Sequence, residues 1–255
     1  METFCTGSNV TLVTGSTGTI GRAIVRTLTR AGMAVVASAR SHDALKELAR
    51  EQACVGHRLA GVTSMDLTSN DSVVAAVEKM MAEHRSIIGL VNCVAAPIFG
   101  EFFELSDEEW ETVIQVKLMG YVRVLRAVLP HMMRQRCGAI VNVAGRGGRQ
   151  PTPVHLPGCC ANIAVITLTK GLADIYAMHG IRINAVSPGP IESPRQRDIE
   201  ARNQQLGAME KKLPPLQRLG QADDVANAVS FLLSAQAAFI TGANIAVDGG
   251  SMPTI

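Results

Sequence analysis

Apolar positions along the chain alternate between two periods. Short β-branched runs such as NVTLVTG at 9–15 lead into stretches such as TIGRAIVRTLTRAG at 19–32, where Ile20, Ala23, Ile24, Leu28 and Ala31 share one helical face. The same alternation predicts strands over 33–40, 61–67, 87–96, 138–145, 180–190 and 240–250. It predicts helices over 41–52, 68–84, 107–135, 158–178 and 221–234. The run IIGLVNCVAA at 87–96 is apolar on both faces, as a parallel strand covered on both sides must be. Residues 191–215 are polar, with LPPL near their end, and read as a mobile substrate-binding flap. No linker or internal repeat interrupts the βα alternation. One domain over 1–255 is therefore expected, an α/β fold with a parallel sheet and helices on both faces.

Composition narrows the class. The 255 residues are 47% hydrophobic and 18% charged, which suits a core-rich globular chain. A net charge of +2 gives no reason to expect nucleic acid or an anionic membrane as partner. No apolar run looks long enough for a membrane span, and the opening METFCTGSN lacks a charged-then-apolar leader. The six cysteines show no metal-ligand spacing, so no metal is expected and a reduced, cytoplasmic chain is.

The chemistry begins at VTGSTGTIGRA, 13–23, between the first strand and its helix. Gly15, Gly18 and Gly21 let backbone approach a ligand, and the helix amino end behind them offers N–H groups to phosphate. The second strand ends in Ala39 and Arg40, where NAD sites usually carry an acid. An arginine there can pair with a 2′-phosphate, so NADP(H) is favoured over NAD(H).

Taken with Asp66, LVNCVA at 90–95, GAIVNVAG at 138–145, INAVSPGPIES at 183–193 and the closing RLGQADDVANAVSFLLS and ITGANIAVDGG, this turn resembles the short-chain dehydrogenase/reductase family over nearly the whole chain. The resemblance implies a Rossmann-type, doubly wound sheet of seven parallel strands, a nicotinamide cofactor, a small-molecule substrate and a homotetramer or homodimer. It implies cofactor contacts from Gly15, Thr17, Thr19, Ile20 and Gly21 in the turn, and from Asp66 and Leu67 at the adenine. Asn92 and Val94 would order the centre of the site, Pro188 and Gly189 would flank the nicotinamide, and Ile191 and Ser193 would touch its carboxamide side. Two motifs depart from the pattern: Thr19 stands where the turn's middle glycine is usual, and Asn-Cys-Val-Ala replaces Asn-Asn-Ala-Gly at 92–95.

The family reduces carbonyls with a tyrosine acid, a lysine four residues later, a serine thirteen residues earlier and an asparagine on the preceding helix. In this chain the matching positions are Gly158, Asn162, Gly145 and Lys117. Lysine and asparagine are thus exchanged, which predicts that Lys117 sends its ammonium into the site with Asn162 as partner. Gly145, Arg146 and Gly158 are expected to line the substrate pocket, and the two glycines to leave room for a bulky substrate or water. Without a phenol, the developing oxyanion needs another source of charge or proton. Lys117 and His155 are the candidates. The reaction expected is hydride transfer to a bulky or activated carbonyl, enone or iminium compound. A silent cofactor-binding scaffold subunit, or a non-redox lyase or isomerase, are the alternatives.

Overall fold

The computed structural model describes residues 9–205 and 213–252. Seven strands form one parallel sheet: β1 (Asn9–Thr14), β2 (Val35–Ala39), β3 (Gly61–Ser64), β4 (Ser86–Asn92), β5 (Gly138–Val143), β6 (Ile181–Pro188) and β7 (Asn244–Val247). Their order is β3-β2-β1-β4-β5-β6-β7, so the chain reverses direction across the sheet between β1 and β4. Ligands of such sheets bind at that switch, beyond the carboxyl ends of the strands.

Alternating side chains split the core into two layers. Leu12, Val36, Leu90, Ile140 and Ile183 face one side, against α3 (Asn70–Glu83), α5 (Gly120–Gln135) and α6 (Leu156–Tyr176). Val13, Ala37, Val91, Val141 and Val186 face the other, against α1 (Thr19–Arg30), α2 (His42–Cys54) and α8 (Ala222–Leu233). This is the doubly wound architecture the βα alternation predicts.

The differences from expectation have local causes. The third strand stops at Ser64 because the Asp66 carboxylate accepts from the Thr68 backbone N–H at 2.9 Å and turns the chain. The single helix expected over 107–135 is three segments: α4 (Asp107–Val113), a π-helical stretch over Ile114–Met119, and α5. The flap is partly ordered as α7 (Pro194–Gln205), and its remainder at 206–212 lies outside the described residues. Ser193 Oγ accepts from Gln196 N at 3.1 Å ahead of Pro194, an amino-terminal capping arrangement that the Ser-Pro pair encodes.

The membrane reading also needs correcting. The stretch Pro153–His179 is long and apolar enough to cross a bilayer, with a mean hydropathy of 1.3 over its best window. Its apolarity is that of a core helix, since Val165 and Ala173 are buried against strands of the sheet.

Candidate active site

A cavity of about 1530 Å³ opens beyond the carboxyl ends of β1, β4, β5 and β6. The glycine turn forms one end. Gly15 has φ +65°, and a Cβ there would stand 2.1 Å from the Cys93 carbonyl oxygen. A Cβ on Gly21 would stand 2.1 Å from the Gly15 carbonyl oxygen, so both positions require glycine. Gly18 is exposed at the head of α1, and no side chain caps that helix. Thr19 and Ile20 of its first turn line the cavity together with Gly21. The departure at Thr19 therefore leaves the helix end open. Thr17 is half-buried, and its carbonyl accepts from Arg22 Nε at 3.0 Å.

Arg40, Asp66 and Leu67 lie outside this cavity, next to the ends of β2 and β3. Arg40 is exposed. Two hydrogen bonds from Thr68, backbone and hydroxyl, hold the Asp66 carboxyl below the usual carboxylate value, and the charges of Arg40 and Arg123 add to the effect. Leu67 is expected as a cofactor contact beside Asp66. Its side chain is buried in the core, and its carbonyl accepts from Arg123 at 2.9 Å.

Asn92 is fully buried and does not itself line the cavity. Its Nδ2 donates to Asn142 Oδ1 at 2.9 Å, and Asn142 Nδ2 donates to Thr169 Oγ1 at 3.0 Å. This chain ties β4 to β5 and α6, so Asn92 orders the site from behind. Val94 does line the cavity, as do Pro188, Gly189, Ile191 and Ser193 at the opposite wall. Gly189 N donates to Val247 O at 3.0 Å, and a Cβ on Gly189 would lie 2.5 Å from that of Asp248.

Lys117 reaches the centre of the site from the π-helical stretch, a distortion that often marks functional sites. It is 5% exposed and lines the cavity. Its Nζ donates to Val143 O at 2.8 Å and Ala144 O at 3.2 Å, and stands 5.2 Å from the ring centre of Tyr121. The expected partnership with Asn162 is not formed, because Asn162 Oδ1 is buried without a hydrogen-bond partner. The carbonyls at the end of β5 lie nearer the ammonium's path, and the Asn162 amide turns instead toward Gly145. A Cβ on Gly145 would lie 2.8 Å from Asn162 Nδ2.

The expected open space beside Gly158 is filled. His155 closes a 3-10 turn over Pro153–His155 and is 6% exposed. Its Nδ1 lies 2.8 Å from the Ile98 carbonyl oxygen, and its ring centre lies 4.7 Å from that of Phe99. A Cβ on Gly158 would stand 1.8 Å from His155 Nε2. Arg146 also lines the cavity, on the 3-10 turn Arg146–Gly148.

Some contributors were not anticipated from the sequence. Tyr121 is buried one helical turn after Lys117, with its hydroxyl 3.0 Å from Val143 O and accepting from Val94 N at 3.0 Å. The four-residue spacing was its only signal. Gln150 lines the cavity with an Oε1 that has no partner, and α7 contributes Gln196, Ile199 and Glu200. Lys170, the other lysine near this helix, is exposed and pairs with Asp174.

Comparison with known proteins places this geometry. The family described as enoyl-(acyl carrier protein) reductase matches residues 15–252. A 3-oxoacyl-(acyl-carrier-protein) reductase of Thermotoga maritima is 32% identical over 243 residues, 94% of this chain and 96% of its own. A cis-4-hydroxycyclohexanecarboxylate dehydrogenase of Sinomonas cyclohexanicum is 36% identical over 242 residues, covering 94% and 95% of the two chains. Among solved structures, a gluconate 5-dehydrogenase of Burkholderia cenocepacia in complex with NADP and tartrate superposes with a TM-score of 0.88 at 29% identity, over 97% of this chain and 96% of its own. A variant of actinorhodin polyketide ketoreductase with NADPH gives a TM-score of 0.90 at 30% identity, over 96% and 98%.

Proposed function

The chain belongs to the short-chain dehydrogenase/reductase family, and on that premise we propose that it is an NADP(H)-dependent reductase of bulky or activated carbonyl, enone or iminium compounds that works without a tyrosine acid. The observation that carries the reading is the buried Asn162 Oδ1. It has no partner within the protein, in a cavity that runs from the glycine turn to Lys117. A buried carbonyl oxygen costs about 1–3 kcal/mol when left unsatisfied. A donor on the bound cofactor, such as a ribose hydroxyl, satisfies it.

The residues present fit NADP(H). Backbone N–H groups at Thr19 and Ile20, at the uncapped start of α1, would serve the pyrophosphate, and Arg40 would serve the 2′-phosphate. The Pro188–Gly189 loop, with Ile191 and Ser193, lines the cavity and would hold the nicotinamide. When bound in reduced form, this group supplies a hydride.

The protein's own part is to hold charge and shape at the reacting oxygen. Lys117 is fixed by two backbone carbonyls, so its positive charge is in place before substrate arrives. Gly158, Asn162, Gly145 and Lys117 stand at the family's tyrosine, lysine, serine and asparagine positions, so proton delivery is rearranged. Apolar residues Val94, Val113, Ile199 and Leu213 line the same cavity and suit a large apolar acceptor. The chain acts as a homotetramer or homodimer. Exposed Ile163, Ile175 and Met178 on or beside α6, and Phe231 and Phe239 on and beyond α8, support that assembly.

Fluorescence titration with NADPH and NADH tests the proposal. Tighter binding of NADPH is expected, and binding of neither sinks it. Light scattering reads the assembly, and a strictly monomeric protein removes that part of the proposal.

A further inference from the structure

We propose that His155 is the proton-transfer residue of this site, and that position 158 is glycine because the imidazole stands where a larger side chain would begin. The inference rests on the oxidoreductase reading above and deepens it. Its geometric basis is the 1.8 Å separation between His155 Nε2 and the place a Cβ on Gly158 would occupy. No side chain at 158 can share that volume with the ring. The imidazole therefore takes over the root of the path along which a tyrosine would enter the cavity.

The ring is also oriented. A carbonyl oxygen only accepts, so the 2.8 Å contact with Ile98 O assigns the proton to Nδ1 in the neutral form. Nε2 is then the atom that gains and loses a proton. The tilted Phe99 ring, 4.7 Å away between centres, packs against the imidazole. Imidazole is the side chain whose unperturbed titration falls in the physiological range.

Lys117 is differently placed. Two of its N–H bonds are committed to Val143 O and Ala144 O, so it supplies charge. The two candidates thus divide the work. In the reductive direction NADPH, when bound, would supply the hydride for the new C–H bond and become NADP⁺, while the C–O π electrons of the substrate pass to oxygen. The proton leaves His155 Nε2–H, directly or through one water, and forms the O–H bond. The imidazolium becomes neutral imidazole and is recharged from solvent.

The test uses the full chain and His155→Gln, with trans-1-decalone and 9,10-phenanthrenequinone as probes. Imidazole ¹⁵N NMR, with the signal assigned by its loss in the variant, should show the proton on Nδ1 and not on Nε2 in the neutral ring. The other titratable and charged groups lining this cavity are Lys117 on the π-helical stretch, Arg146, Glu200 on α7, Cys93 after β4 and Cys159 on α6. A neutral ring protonated on Nε2 overturns the proposal. In turnover of decalone, His155→Gln should lower kcat by about 10²–10⁴-fold and remove one limb of the pH profile, with NADPH affinity within about twofold of the parent. An unchanged rate and profile overturn the role of His155 while leaving the reductase reading intact. A parent that binds neither nucleotide overturns the reductase reading, and this one with it. Where the parent turns over neither probe, the NMR result decides alone.

Discussion

Gly158→Ala tests the packing of the site more sharply than any change to a polar residue. On an ordinary helix the substitution stabilises by roughly 0.8–1 kcal/mol, because alanine is the better helix former. At this position on α6 the added methyl would stand 1.8 Å from His155 Nε2 and 2.3 Å from Cε1. The ring must move. Moving it gives up the Ile98 hydrogen bond, about 0.5–1.5 kcal/mol, and adds overpacking strain of about 1–3 kcal/mol. The sum of these opposing effects is destabilisation by about 1–3 kcal/mol, or a fall in Tm of several degrees for a domain of this size. In a His155→Ala background the obstacle is gone, so the same change should stabilise by about 1 kcal/mol. Urea unfolding of the parent, both single variants and the double variant measures all four corners of the cycle. The expected signature is a change of sign between backgrounds. Stabilisation by a similar amount in both would refute the placement of His155 over Gly158.

Three further outcomes follow from the same geometry. Lys117→Met should lower kcat by about 10²–10³-fold at nearly unchanged NADPH affinity, since it removes only the charge at the reacting oxygen; steady-state kinetics with the decalone probe checks this, and an unchanged kcat refutes it. Arg40→Asp should weaken NADPH binding about 10–100-fold and leave NADH binding unchanged or tighter, read by fluorescence titration, and equal losses for both nucleotides would refute the 2′-phosphate role. Asp66 has a folded carboxyl below 3.8, so its stabilising contribution is full above that value and disappears as pH falls through the lower folded value. The difference in urea midpoint between parent and Asp66→Asn should therefore be present at about pH 5 and shrink toward about pH 2, and a constant difference would refute the role of the Thr68 bonds.

The sheet was legible in the sequence because parallel strands buried on both faces must be apolar at every position, as in β4, and because each helix repeats its apolar face at the helical period. The glycine turn was legible for a similar reason: a close approach at Gly15 or Gly21 admits only one residue type. What failed to show were partners. Lys117 was expected to enter the site and does line it, but its hold on the Val143 and Ala144 carbonyls comes from a π-helical stretch over Ile114–Met119 that has no residue signature. Asn92 was expected to order the site, but its partners Asn142 and Thr169 form a network visible only once β4, β5 and α6 are adjacent. The space beside Gly158 looked vacant because its occupant approaches from a turn whose path is fixed by the distant Ile98 carbonyl. α7, by contrast, carried a readable Ser193-Pro194 start within a segment that its polarity made look irregular.

The site wall contains glycines that neighbouring side chains already cover. Asn162 Nδ2 lies 2.8 Å from where a Cβ on Gly145 would stand, Cys159 Sγ lies 2.7 Å from the same point on Gly147, and His155 Nε2 lies 1.8 Å from it on Gly158. A site losing its side chains one at a time would leave voids, and voids in close-packed protein are costly. At each of these three glycines a neighbouring side chain occupies the room. The dependence runs both ways: a serine at 145 presses on Asn162, and a tyrosine at 158 displaces His155. A large side chain at 158 therefore needs removal of the histidine as well.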